Sequence, residues 1–190
     1  MDIKKIKNKK AQVWIETVIY TLIGLVLIGM VLTVAKPAIM KMKDQKIIDA
    51  AIVSMNELDN QVDGVRIEGV SSAKKAFFNV EKGQLIIDGE NDKISFIIDD
   101  SAYAASEVEN SRTVNISASN LKVKTQKSGK NYKVSIWREY PKEDINITYN
   151  GKDIEKTFTL ASLPYVLMVE NKGRNSSDSS LNINIYEVSG

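Results

Sequence analysis

Residues Gln12 to Ala35 read QVWIETVIYTLIGLVLIGMVLTVA, and Glu16 is the one charged residue among them. From Thr17 to Ala35 there are 19 residues without a charge. As a helix rising about 1.5 Å per residue, such a stretch is roughly 28 Å long, close to the ~30 Å hydrocarbon core of a bilayer. The apolar region of a secretory signal peptide is usually about 7–15 residues, so this run is long for a segment that is cut off and discarded. A conventional cleavage site can be drawn at Thr33-Val34-Ala35, but Lys36-Pro37 directly after it argues against one. The run therefore predicts a helix that enters a membrane and stays attached to whatever follows.

The helical pattern continues beyond the apolar run. Ile39, Met42, Ile47, Ile48, Ala51, Ile52, Met55, Leu58 and Val62 recur at three- and four-residue spacing. Lys41, Lys43, Asp44, Lys46, Asp49, Asn56, Glu57 and Asp59 fill the gaps. That is the pattern of an amphipathic helix with one face for a partner layer. Pro37 removes a helix hydrogen bond and is expected to kink or loosen the junction. One helix is thus predicted from about Gln12 to Asn60, roughly 70 Å long at full helicity.

From Gly64 the period changes to short β-branched and aromatic runs between turn residues. The predicted strands are Val65–Val70, Ala76–Val80, Gln84–Asp88, Lys93–Ile98, Thr113–Ala118, Leu121–Gln126, Tyr132–Tyr140, Ile145–Tyr149, Lys156–Leu160, Tyr165–Glu170 and Leu181–Val188. Turn signals separate many of them: Glu81-Lys82-Gly83, Asp88-Gly89-Glu90-Asn91, Ser128-Gly129-Lys130-Asn131, Asn150-Gly151 and Asn171-Lys172-Gly173. Asn150-Gly151 is the sharpest hairpin signal. The predicted class is α+β: a long N-terminal helix, membrane-spanning then amphipathic, packed on an all-β, sandwich-like C-terminal domain. The expected divisions are 1–11, a basic leader; 12–36, the apolar helix; 37–62, its amphipathic continuation; and 63–190, the β-rich domain.

Charge is distributed unevenly. The chain has 26 basic and 24 acidic residues, net +2. Residues 1 to 11 hold Lys4, Lys5, Lys7, Lys9 and Lys10 against Asp2, leaving 21 basic and 23 acidic residues in the rest. A nucleic-acid binder carries its positive charge on a folded face, so nucleic acid is not an expected partner. Lysines ahead of an apolar helix instead hold that end in the cytoplasm and put the β domain outside. The chain has no Cys and no His, which removes thiol nucleophiles, disulfides and the commonest zinc ligand.

The most informative stretch is Lys9-Lys10-Ala11-Gln12-Val13-Trp14-Ile15-Glu16. Basic residues precede a small residue, and an apolar helix follows with a carboxylate at its fifth position counted from Gln12. This resembles the class III signal peptide of type IV prepilins, and the wording AQVWIETVIYTLIG is similar to archaeal pilins. The resemblance covers residues 1 to about 60. It implies cutting between Ala11 and Gln12 by a membrane prepilin peptidase on the cytoplasmic side, with the apolar helix retained. It also implies that Glu16, as fifth residue of the mature chain, pairs with the new α-amino group of a neighbouring subunit at Gln12 and helps set axial register. The implied function is a structural subunit of an archaeal type IV pilus-like surface filament, with a role in adhesion for the outward domain. The implied partners are further copies of the chain, an assembly ATPase, a membrane platform protein, and lipid before assembly.

Physical readings stand beside the resemblance. A carboxylate in an apolar helix is unfavourable by roughly 2.5–3.5 kcal/mol at the bilayer centre and less near the interface, so Glu16 is costly unless it gains a partner or lies at the interface. A plain uncleaved signal-anchor, with Glu16 solvated at the interface, is the simpler alternative. Gly24 and Gly29 are five apart and do not make the small-xxx-small helix-pairing motif. Trp14 reads as an interfacial anchor, and Tyr20 equally as packing between helices.

The β domain offers three Asn-x-Ser/Thr sequons, at Asn115, Asn146 and Asn175. Outside a cell they are glycosylation candidates, with Asn175 in the most exposed-looking loop. Asp99-Asp100 and Glu107-Val108-Glu109 bind Ca²⁺ only if other oxygens converge on them, and read as solvated loop charge. Trp137-Arg138-Glu139-Tyr140 reads as a strand with alternating faces more than as a sugar-binding patch. No phosphate loop, nucleophile elbow or other organised catalytic set is present, so no enzyme activity, cofactor or metal is expected. The rivals to the filament reading are a monomeric, membrane-tethered β-sandwich binding module and a minor, pseudopilin-like component.

Overall fold

A computed structural model describes residues 9–108, 112–117, 119–174 and 179–188, with side chains from residue 13 onward. The chain forms two compact units, Met1–Met40 and Lys41–Gly190. Helix α1 spans Lys9–Glu68 and contains Pro37, which does not interrupt it.

In the first unit α1 is apolar and bare. Val13, Trp14, Ile15, Val18, Ile19, Tyr20, Leu22, Ile23 and the large apolar side chains on to Val34 are all exposed. They occupy every side of the helix.

In the second unit α1 becomes a core element. Asp44, Ile47, Ile48, Ala51, Met55, Leu58, Asp59, Val62 and Val65 are buried along one face. Ten strands follow: β1 Ala73–Phe78, β2 Gln84–Asp88, β3 Lys93–Ser101, β4 Val114–Asn115, β5 Lys122–Ser128, β6 Asn131–Glu139, β7 Ile145–Tyr149, β8 Glu155–Phe158, β9 Tyr165–Arg174 and β10 Leu181–Glu187. They form a four-stranded sheet in the order β1-β9-β10-β7 and a six-stranded sheet in the order β4-β5-β6-β3-β2-β8. The larger sheet is antiparallel throughout. In the smaller one β10 runs parallel to β7. Alternation along the strands sends Leu85, Ile87, Phe96, Ile98, Val134, Ile136, Leu167, Val169, Ile183 and Ile185 into one shared core with the helix. Phe78 of the small sheet meets Phe96 of the large one with ring centroids 5.6 Å apart. Tyr149 and Phe158 make a second cross-sheet pair at 5.9 Å. The α+β class, a long helix packed on a two-sheet, sandwich-like domain, is the observed one.

Three local expectations are corrected. The segment Val65–Val70 is not a strand. Val65 is fully buried and extends the helical stripe, so α1 continues to Glu68 instead of ending near Asn60. Gly64, which looked like the change of period, lies inside the helix with the Lys74 side chain over it. The stop is Gly69, whose φ of +96° turns the chain while its N–H donates to Val65 O at 3.2 Å. This is a left-handed helix cap, which glycine adopts without steric cost. Second, Asn150-Gly151 has the two positive φ values of a primed turn, +51° and +72°, but closes only one bridge, Tyr149 to Lys152. The chain then crosses to the other sheet, because the neighbour of β7 is β10. Third, Asn171-Lys172-Gly173 does not separate strands. It forms a bulge within β9, where Asn182 faces Gly173 and Ile183 faces Asn171.

Candidate functional site

Ala11, Gln12 and Glu16 all lie in the first turns of α1. Glu16 is exposed on the helix surface. The threonines of the apolar stretch are satisfied within the helix. Thr17 Oγ1 donates to Val13 O at 2.9 Å, Thr21 Oγ1 to Thr17 O at 2.8 Å, and Thr33 Oγ1 to Met30 O at 2.7 Å. A hydroxyl bonded to its own helix needs nothing from a hydrocarbon solvent. Gly24 and Gly29 have open space where a Cβ would stand. By length and composition α1 is able to cross a membrane.

Two carboxylates that looked like members of the polar face are in fact on the buried one. Asp44 accepts from Lys82 Nζ at 2.8 Å and from Ala102 N at 2.7 Å. Asp59 Oδ1 accepts from Arg138 Nε at 3.1 Å and Tyr140 Oη at 2.9 Å. Asn120 Nδ2 reaches the other Asp59 oxygen at 3.4 Å. Fifteen residues of helix, about 22 Å, separate the two anchors. Ala102 follows the end of β3, whereas Arg138 faces Ile94 near its start. The helix therefore runs antiparallel to β3, pinned at both ends. Burial first, and the Asp59 charge second, push the Tyr140 hydroxyl well above 10, so it remains a donor. The spacing 44-48-51-55-58-62-65 was the available signal, since it puts Asp44 on the apolar stripe and Asp59 beside it.

A third anchor holds the helix C-terminus. Val65 O accepts from Ser72 Oγ and from Asn171 Nδ2, each at 2.9 Å, besides the Gly69 N–H. Asn171 Oδ1 in turn accepts from Gly173 N at 2.8 Å. Asn171 is buried, so the β9 bulge exists where its side chain turns inward to end the helix.

The remaining candidates divide. Asn115 is exposed on β4, with Ser117 also exposed. Asn146 is half-buried on β7 and donates to Asp153 Oδ1 at 3.3 Å. Its sequon threonine, Thr148, is buried among Asn182, Asn184 and Ile183 O. Asn175 lies outside the described residues, as does Glu109. Asp99 pairs with Lys133 at 2.8 Å and Asp100 accepts from Asn131 at 2.5 Å. Trp137 and Glu139 face outward and are bonded to each other at 2.9 Å, while Arg138 and Tyr140 face the helix. Lys122, above all other causes, holds the Glu139 carboxyl below its ordinary range. Among the described residues no group of three or more acidic side chains is placed to hold a metal ion. Comparison with protein-family models, with curated proteins and with solved structures finds no match for the chain.

Proposed function

We propose that the chain is a type IV pilin-like subunit of an archaeal surface filament, trimmed between Ala11 and Gln12 and polymerised through α1. The observation that carries this reading is the division of one continuous helix. Up to Val34 its large apolar side chains are exposed on all sides, and from Asp44 its buried face is part of a domain core. A tether needs only a span and a linker. Here the apolar stretch and a core element of the domain belong to one helix.

In this reading the lysines keep the N-terminus cytoplasmic, and the peptidase cuts between Ala11 and Gln12. The subunit then exchanges lipid for the apolar helices of its copies, driven by an assembly ATPase through a platform protein. The α-amino group created at Gln12 pairs with Glu16 of a neighbour. A carboxylate that is costly in lipid then becomes a register element inside the bundle. The β domain faces outward, with Asn115 as the best-placed sequon among the described residues and the surface available for adhesion. No enzymatic role is proposed.

The Glu16→Ala variant tests the register role. Its processing should be normal and its membrane level unchanged, while filaments seen by electron microscopy fall at least tenfold. Filaments of normal number and symmetry would refute the role of Glu16.

A further inference from the structure

Asn150-Gly151 is the one Asn-Gly pair in the chain. Asparagine is thermally labile, and most so before glycine, which has no side chain to shield its own nitrogen from the preceding amide. In the self-reaction of such a pair the Gly151 nitrogen gives up its proton and bonds to Asn150 Cγ. The Cγ–Nδ2 bond breaks, ammonia leaves with the proton, and a five-membered imide remains. Water then opens the imide to aspartate or isoaspartate, and no other reactant is consumed. Water has access, since Asn150 and Gly151 are both exposed.

The surroundings of the pair oppose the first step. Gly151 N donates to Asn184 Oδ1 at 2.6 Å. The facing atom of that amide is its oxygen, because a backbone N–H needs an acceptor. Thr148 Oγ1 lies 3.3 Å from the same oxygen, and Asn184 is 6 % exposed, so the acceptor is itself held in place. A nitrogen whose proton is already bonded releases it less readily. Rotation is opposed as well. Asn150 N donates to Ile185 O at 3.0 Å, Tyr149 N to Lys152 O at 2.9 Å and Lys152 N to Tyr149 O at 3.1 Å. Four successive N–H groups are thus bonded, whereas closing the imide ring needs the Asn150 Cα–C bond to turn until the Gly151 nitrogen meets Cγ. We propose that Asn150-Gly151 is a latent deamidation site, held shut by Asn184 in the folded domain and opened when β10 leaves the turn. Asn184 and Ile185 both belong to β10, so the lock is complete only when that strand is docked. Isoaspartate at 150 adds one methylene to the main chain between the Asn150 and Gly151 nitrogens, the two that hold the turn to β10. Nothing in this lock depends on the membrane or filament reading.

The rate at which Asn150 is lost in mildly alkaline buffer tests this, read by mass spectrometry of the peptide that contains it and by enzymatic methylation of isoaspartate. The full-length chain in detergent is compared with the same chain in guanidinium chloride, and with the folded variants Asn184→Ala and Asn184→Asp, the second of which keeps an acceptor oxygen. Circular dichroism verifies that each variant is folded. Folded wild type should deamidate at least tenfold more slowly than the denatured chain. Asn184→Ala should deamidate several-fold faster than folded wild type, and Asn184→Asp at close to the wild-type rate. Equal rates for folded and denatured wild type would overturn the lock. A folded Asn184→Ala variant as slow as wild type would overturn the role of Asn184. Should alanine at 184 prevent folding, a folded Asn184→Asp variant that deamidates as fast as the denatured chain overturns it instead.

Discussion

Asp59 and Asp92 are both carboxylates buried in the domain, and their surroundings give them opposite signs. Asp59 is met by a guanidinium, a phenol and an amide. Replacing it by Ala strands Arg138 and the Tyr140 hydroxyl. Breaking a buried pair costs about 3–5 kcal/mol, and the partial exposure of Arg138 puts the expected loss near the lower end, about 3 kcal/mol in chemical unfolding. Asp59→Asn, which can still accept from Tyr140, should lose roughly half of that. Among the described residues no cation is in hydrogen-bond contact with Asp92. Asp92 accepts from Ile147 N at 2.7 Å, and its pKa is raised above 3.8, chiefly by burial. A raised folded-state pKa means that the group favours folding below its unfolded value, and that this contribution is lost as pH rises through the folded value. At neutral pH its charge is therefore a cost. Asp92 also holds a φ of +48°, which asparagine tolerates well. Asp92→Asn should raise Tm by a few degrees at pH 7, with the gain vanishing as pH falls below about 3.8. A gain that persists unchanged in acid would show that charge is not the reason.

At the scale of elements, local pattern located most of the strands but not their partners. Gln84–Asp88 and Ile145–Tyr149 appear with the predicted bounds, because turn residues flank them on both sides. The parallel pairing of β7 with β10 joins segments far apart in sequence, and nothing local specifies it. Asn150-Gly151 shows the same limit: its chemistry dictates two positive φ values, whereas the sheet that takes the next strand is a tertiary choice. Val65 was misassigned because Gly64 is a weak helix former, and burial overrode that preference. The anchors were half legible. Asp44 stands at stripe spacing, but its partner Lys82 lies 38 residues away, and the partners of Asp59 lie 61 to 81 residues away. Asn171 gave only a turn signal, and its role depends on a helix end that the pattern had placed elsewhere.

Two glycines separate conformational cost from steric cost. Gly83 has φ +91°, and a Cβ there would stand 2.4 Å from Ile97 O. Gly69 has φ +96° with nothing within 4 Å. Gly69→Ala should cost about 1 kcal/mol, the price of a left-handed L-residue alone. Gly83→Ala should cost at least about 2 kcal/mol more, measured by denaturant unfolding of the two variants side by side. Equal losses would show that the β1–β2 loop yields freely, and that its grip on Asp44 is weaker than the Lys82 contact implies.

At the scale of the whole molecule, a bare apolar helix and a packed helix are one element, and the filament reading uses both halves. In that reading the apolar half carries the chain in lipid and then in the bundle. The packed half, fixed by Asp44, Asp59 and the Val65 carbonyl, carries the domain. What distinguishes this from a tethered binding module is the fate of the first eleven residues. Mass spectrometry of the mature chain from cells with an active prepilin peptidase decides it. The account predicts a polypeptide beginning at Gln12 with the whole apolar helix retained. A chain still beginning at Met1 or Asp2, or one beginning at Lys36, would contradict it.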